Sequence, residues 1–140
     1  MKDTEKKSIR NMRKNDVITT FFETMKEMRK ENPLATQNQV IEKAVKGKAP
    51  RFYVTFENAR RYISLMMRKK RLPLVNKNKM EMYKEIYNRY IKRIRESSSH
   101  YRYIILEKII EEPAPSFYLD EETFRGIIYK TLRERNIAAI

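Results

Sequence analysis

Apolar residues recur along the chain at three- and four-residue steps, the period that lines one face of a helix. Val17, Ile18, Phe21, Phe22, Met25 and Met28 form the first stripe and predict a helix over Asp16–Glu31. Asn15 or Asp16 can cap its start. Pro33 stops it, because the ring disfavours helical geometry at Asn32. Val40, Ile41, Ala44 and Val45 predict a second helix over Gln37–Lys46. Thr36 and Gln39 have the spacing of a capping box, in which each side chain satisfies a backbone N–H that the helix start leaves open. Gly47 stands where a left-handed C-terminal cap would fall. Pro50 then forces Ala49 into an extended conformation, so 48–54 breaks the helix. Phe52 and Tyr53 follow each other on that extended segment and point in opposite directions, one of them into the core. A third helix starts after Thr55 and reaches Lys70. Phe56, Ala59, Ile63, Met66 and Met67 make its buried stripe, and Glu57, Arg61, Ser64 and Arg68 its polar one.

Residues 72–78, with Pro73 and two asparagines, read as a joint. The same order then recurs. A helix over Lys79–Glu96 turns Tyr83, Ile86, Tyr87, Tyr90, Ile91 and Ile94 inward. Ser97-Ser98-Ser99 is a turn and cap, and a helix over His100–Glu111 carries Ile104, Ile105, Leu106, Ile109 and Ile110 before Pro113 and Pro115 end it. Asp120 caps a last helix over Glu121–Arg135, with Leu119 and Phe124 at staple positions and Phe124, Ile127, Ile128 and Leu132 buried. Residues 136–140 form a short tail.

The recurrence has a counterpart in the letters. Residues 49–54 read Ala-Pro-Arg-Phe-Tyr-Val and 114–119 read Ala-Pro-Ser-Phe-Tyr-Leu, an offset of 65 positions. Laying 42–68 on 107–133 without a gap matches Glu42/Glu107, Lys43/Lys108, Ala49/Ala114, Pro50/Pro115, Phe52/Phe117, Tyr53/Tyr118, Glu57/Glu122, Arg60/Arg125, Ile63/Ile128 and Arg68/Arg133. Chance would supply about two such matches, at ~5–8% per position from average residue usage. The expected fold is therefore all-α: two tandem pseudo-equivalent three-helix units, helix-turn-helix-like, built on a 65-residue internal repeat. The expected parts are a basic N-terminal arm over 1–14, unit 1 over 15–72, a linker over 73–78 and unit 2 over 79–138. A lone unit of this size buries only about 60% of its unfolded surface, so the two are expected to pack as one compact domain.

Composition adds charge to this picture. The 140 residues carry 32 Lys and Arg against 18 Asp and Glu, a net +14. Such a balance attracts polyanions. It is uneven: 1–75 hold 19 basic and 8 acidic residues, net +11, and 76–140 hold 13 and 10, net +3. Met1–Arg13 has no apolar run, so no signal peptide is expected there, and no stretch approaches a membrane span. With no cysteine there is no disulfide scaffold, and the chain suits a reducing, cytoplasmic setting.

Candidate chemistry is thin. A metal site needs clustered His, Cys or carboxylates, whereas His100 is the one histidine and sits beside three serines, as a cap or surface residue. There is no Ser-His-Asp set and no glycine-rich phosphate loop, so neither an enzymatic activity nor a cofactor is expected. Tyr83, Tyr87, Tyr90, Tyr101 and Tyr103 have the ring type that stacks on bases, but their spacing assigns them to packing. The methionines at 25, 28, 66 and 67 fall on inward stripes.

The helix pair 37–46 and 56–70 carries more. A short helix, a break and a basic helix resemble a helix-turn-helix, although the nine-residue connection 47–55 is longer than the usual three or four. On that pattern Asn58, Arg61 and Ser64 reach base edges, while Lys48, Arg51, Arg60, Arg68, Lys69, Lys70 and Arg71 contact phosphates. The string Ala-Pro-Arg-Phe-Tyr-Val followed by a basic helix also resembles small basic proteins of gut bacteria and their mobile elements. That resemblance covers mainly 40–70 and brings no established activity with it; the second copy departs from it at Ser116 and Gly126. The expected function is non-catalytic nucleic-acid binding, duplex DNA foremost, through the third helix, in a regulatory or mobile-element accessory role. The alternative is a helical adaptor for an acidic protein partner.

Overall fold

Six helices form in the computed structural model, which describes residues 2–74, 76–97 and 101–136, the side chains of Lys2 and Asp3 apart. They are α1 (Lys2–Glu31), α2 (Gln37–Val45), α3 (Phe56–Met67), α4 (Lys77–Glu96), α5 (Arg102–Glu111) and α6 (Glu121–Glu134). The described residues contain no strand, so the fold is all-α. The expected serine turn at 98–99, the role of His100 and the tail beyond Asn136 lie outside the described residues.

Local signals set most of the helix ends. The arm expected over 1–14 is helix from Lys2 onward and is part of α1, because 2–31 contain neither proline nor glycine. Asn15 and Asp16 therefore sit inside α1 and do not start it. At its other end the Asn32 side chain accepts from the Leu34 N–H at 3.2 Å, and Arg29 donates to the Ala35 carbonyl at 3.1 and 3.3 Å. The capping box of α2 is complete: Thr36 Oγ1 accepts from Gln39 N–H at 3.2 Å, and Gln39 Oε1 accepts from Thr36 N–H at 3.0 Å. Gly47 does not supply a left-handed cap, since no described glycine has a positive φ. Lys46 closes α2 in right-handed geometry instead, and a Cβ on Gly47 would stand 3.3 Å from the Ala44 carbonyl oxygen. Thr55, Asn76 and Asp120 cap α3, α4 and α6 through their side chains.

The contacts sort these helices into two units. One comprises residues 1–49 and 115–140, hence α1, α2 and α6. The other comprises 50–114, hence α3, α4 and α5. Each unit thus draws its third helix from the other half of the sequence. The expected units over 15–72 and 79–138 are corrected by this exchange of α3 and α6. Both boundaries fall inside the two Ala-Pro strings, where proline interrupts the backbone ladder and uncouples each third helix from the helix before it. A helix-turn-helix needs its two helices packed in one body. With α2 in one unit and α3 in the other, the pair is not such a motif.

In the first unit Val17, Ile18, Phe21 and Met25 of α1 are buried, as are Val40, Ile41 and Ala44 of α2 and Phe124, Ile128 and Leu132 of α6. Phe117 meets Phe124 edge-to-face with centroids 5.5 Å apart. Thr131 is fully buried in this core because its hydroxyl donates to the Ile127 carbonyl at 2.7 Å within α6. Lys14 pairs with Glu134 at 3.3 Å, and Arg135 donates to Asn15 at 2.7 Å, tying the end of α6 to α1.

In the second unit Phe52 is buried and its N–H donates to the Ile110 carbonyl at 3.0 Å, which docks the extended string on the end of α5. Tyr53, pointing the other way, is half-buried. Arg89 of α4 lies 5.0 Å over the Phe52 ring, donates to the Pro113 carbonyl at 3.0 Å and pairs with Glu85 at 3.0 Å. Glu112 takes Arg93 at 2.6 Å and Arg89 at 3.7 Å, fastening the segment after α5 to α4. Ala59, Tyr62 and Ile63 of α3 close the core with Met82, Tyr83, Ile86 and Tyr90 of α4 and Leu106, Ile109 and Ile110 of α5.

Candidate nucleic-acid interface

The ten residues singled out in the sequence divide between the units. Lys48 is exposed and belongs to the first unit. The other nine belong to the second, eight of them on α3 or just after it. The second unit holds sixteen Lys and Arg against seven Asp and Glu, net +9, while the first holds sixteen against eleven, net +5. The cationic bias thus sits on the body that contains α3.

Within that body the residues differ in how free they are. Arg51 is half-buried and its Nε donates to the Phe52 carbonyl at 3.1 Å. Arg61 donates to the Tyr62 hydroxyl at 3.1 Å and lies 4.9 Å over the Tyr62 ring. That ring packs on Tyr83 at 4.4 Å, and burial holds the Tyr83 phenol well above its ordinary pKa, with Tyr62 adding to the rise and Arg61 opposing it. Arg51 and Arg61 are therefore committed to the unit's own structure. Asn58 and Ser64 are only half-exposed, which makes them poorly placed to reach base edges.

Arg60, Arg68, Lys69, Lys70 and Arg71 are different. All five are exposed, and none pairs with a carboxylate among the described residues. Their clustering follows from how α3 ends. Lys69 adopts φ 55°, the Lys70 N–H donates to the Leu65 carbonyl at 2.9 Å, and the Lys69 N–H donates to the Met66 carbonyl at 3.0 Å. This is the double bond of a Schellman end, with lysine where glycine is usual. The helix stops at Met67, three residues before the expected Lys70, and the basic run leaves it as an exposed hook.

Arg60 and Ser64 also line a cleft of about 460 Å³ with Tyr90 of α4 and Tyr101, Arg102 and Tyr103 at the start of α5. Ile63 and Leu106 supply buried apolar wall, and Ile104 and Met67, the latter expected to be buried, stand at its exposed rim. Tyr101 and Tyr103, assigned by spacing to packing, are 70% and 63% exposed, while Tyr83 and Tyr90 are buried. The sequence signal for this site was the run Tyr101-Arg102-Tyr103, which stands where the helix has no apolar stripe to complete. A smaller cleft of about 210 Å³ in the first unit is lined by Arg10, Arg13, Lys14 and Lys130, with Glu134 among them.

Among the described residues no group of three His, Cys, Asp or Glu could hold a metal ion, and no helix is long and apolar enough to cross a membrane. The chain matches no family model, no curated protein and no solved structure at a significant level.

Proposed function

We propose that this protein binds nucleic acid without catalysing a reaction, duplex DNA foremost, by tracking phosphates with the exposed end of α3. The observation that carries this reading is the set Arg60, Arg68, Lys69, Lys70 and Arg71, five exposed cations without a carboxylate partner among the described residues, on one helix and its terminal hook. Backbone contacts of this kind release counterions and bind without reading bases. Sequence-specific contacts from Asn58, Arg61 and Ser64 drop out of the proposal, because their side chains are half-buried or engaged on Tyr62. The basic N-terminal half of α1 is the second surface to examine.

The test is a titration of duplex DNA at several salt concentrations. Five phosphate contacts give a log–log slope of about −4.5, at −0.9 per phosphate. Replacing Arg68, Lys70 and Arg71 by alanine should flatten the slope by roughly 2.5–3 and change the melting temperature little, since the three side chains are exposed and Arg68 gives up only a 3.4 Å bond to the Ser64 carbonyl. The pair Arg125→Ala with Arg133→Ala, on α6 of the first unit, should change affinity far less. No binding at low salt, or binding indifferent to salt, would refute the phosphate-tracking reading and point to the acidic protein partner.

A further inference from the structure

The cleft beside α3 contains more than phosphate tracking uses. Its charge is one-sided: Arg60 and Arg102 line it, no carboxylate does, and neither guanidinium is ion-paired among the described residues. The first turn of α5 also lines it. Tyr101 occupies the N-cap position of that helix and makes no side-chain capping bond, so among the described residues no side chain caps the opening amides at the positive end of the helix dipole.

A hydrogen-bond donor also faces the cleft. Tyr90 is only 6% exposed and lines the cleft, yet its hydroxyl makes no hydrogen bond to any described residue. The ring is buried while the hydroxyl opens to the cleft, so a ligand there can accept its hydrogen bond in place of water. Burial raises the Tyr90 pKa, Arg102 opposes the rise and Tyr103 adds to it, so the phenol stays a neutral donor within electrostatic reach of two residues at the cleft. The rings of Tyr101 and Tyr103 stand mostly in solvent beside it, with Tyr103 steadied edge-on by Phe56 at 6.1 Å.

Cations, a helix start, exposed aromatic faces and a phenol donor together match a phosphate joined to a planar, hydrogen-bonding ring. We propose that the cleft takes one unstacked nucleotide of a single-stranded nucleic acid, its phosphate held by Arg60, Arg102 and the start of α5, its base stacked on Tyr101 or Tyr103 and met by the Tyr90 hydroxyl. The proposal rests on the nucleic-acid reading above and narrows it to segments where a base is free of its partner strand. An acidic peptide would satisfy the cations but would leave the ring faces without a planar counterpart.

The full chain has no tryptophan, so its tyrosine fluorescence reports on stacking directly. An oligothymidylate and a duplex of equal length are titrated in parallel at low salt. The single strand should quench tyrosine emission. Tyr101→Ala should weaken single-strand binding by about 5- to 100-fold, the scale of one base–aromatic stack, and leave duplex affinity unchanged. Tyr90→Phe removes only an unpartnered hydroxyl, so the fold is kept, and it should weaken the single strand by about 2- to 10-fold. If both variants bind the single strand as the parent does while duplex binding persists, the cleft assignment is overturned and the phosphate-tracking function stands. If the parent binds neither strand form, the function itself fails and the cleft assignment fails with it. A phosphotyrosine peptide that binds saturably and is weakened by Tyr101→Ala, where the oligothymidylate is not, overturns the assignment in favour of a protein ligand.

Discussion

Phe52 and Phe117 show how much one side chain carries here. Phe52 is 1% exposed and roofed by Arg89, which is itself held by Glu85 and the Pro113 carbonyl. Phe117 is 3% exposed and edge-on to Phe124. Truncating either ring leaves a cavity that fixed helices cannot collapse, so Phe52→Ala and Phe117→Ala should each lower stability by about 3–5 kcal/mol in chemical denaturation. Phe52→Ala should be the more damaging, since Arg89 also loses the face it rests on. A loss under about 1 kcal/mol at both sites would mean that the rings do not fill their cores. The burial of Phe52 was legible from two adjacent aromatics on an extended segment. The role of Gly47 was not: its place after α2 suggested a left-handed turn, but the constraint is the nearby Ala44 carbonyl, a contact that composition cannot reveal.

At the scale of the element, ends that depend on one side chain were readable in advance. Thr36 with Gln39, Thr55 and Asp120 cap as their spacing implied, and the two side-chain and backbone bonds from Thr123 hold the Asp120 carboxyl below its ordinary pKa. Ends that depend on backbone conformation were not. Lys69 closes α3 in the left-handed region, which no lysine advertises, and the early stop changes Met67 from a core residue into a cleft rim. Gly126 gives a direct test of element-level energetics. It lies exposed inside α6, and a Cβ built on it meets nothing within 4 Å. The glycine therefore contributes chain entropy to the unfolded state and no contact to the folded one. Gly126→Ala should raise stability by about 0.5–1 kcal/mol, read as a higher denaturation midpoint with an unchanged slope.

For the whole molecule, the grouping of helices was the part the sequence concealed. The stripes on α3 and α6 are both apolar and similarly spaced, with Ala59, Tyr62 and Ile63 on one and Phe124, Ile128 and Leu132 on the other. Periodicity says that each needs two partner helices but does not say which two. The choice lies in long-range packing: Tyr62 against Tyr83, the Phe52 N–H on Ile110, and Lys14 on Glu134. Cutting the chain in two places separates the two groupings. A fragment spanning 50–114 contains α3, α4 and α5 with the whole of their shared core. It should be helical and melt in one sigmoidal transition at modest temperature, because a body of this size is marginal alone. A fragment spanning 73–140 has the three helices that sequence order would group, but it lacks Tyr62 and Phe52 and carries α6 without α1 and α2. It should lose helicity gradually on heating, without a cooperative step, and adding a fragment spanning 1–72 should restore one, since the mixture again contains both complete units. Circular dichroism melts of the fragments and the mixture decide the matter. A cooperative transition in 73–140 alone, with none in 50–114, would return α6 to α4 and α5 and α3 to α1 and α2.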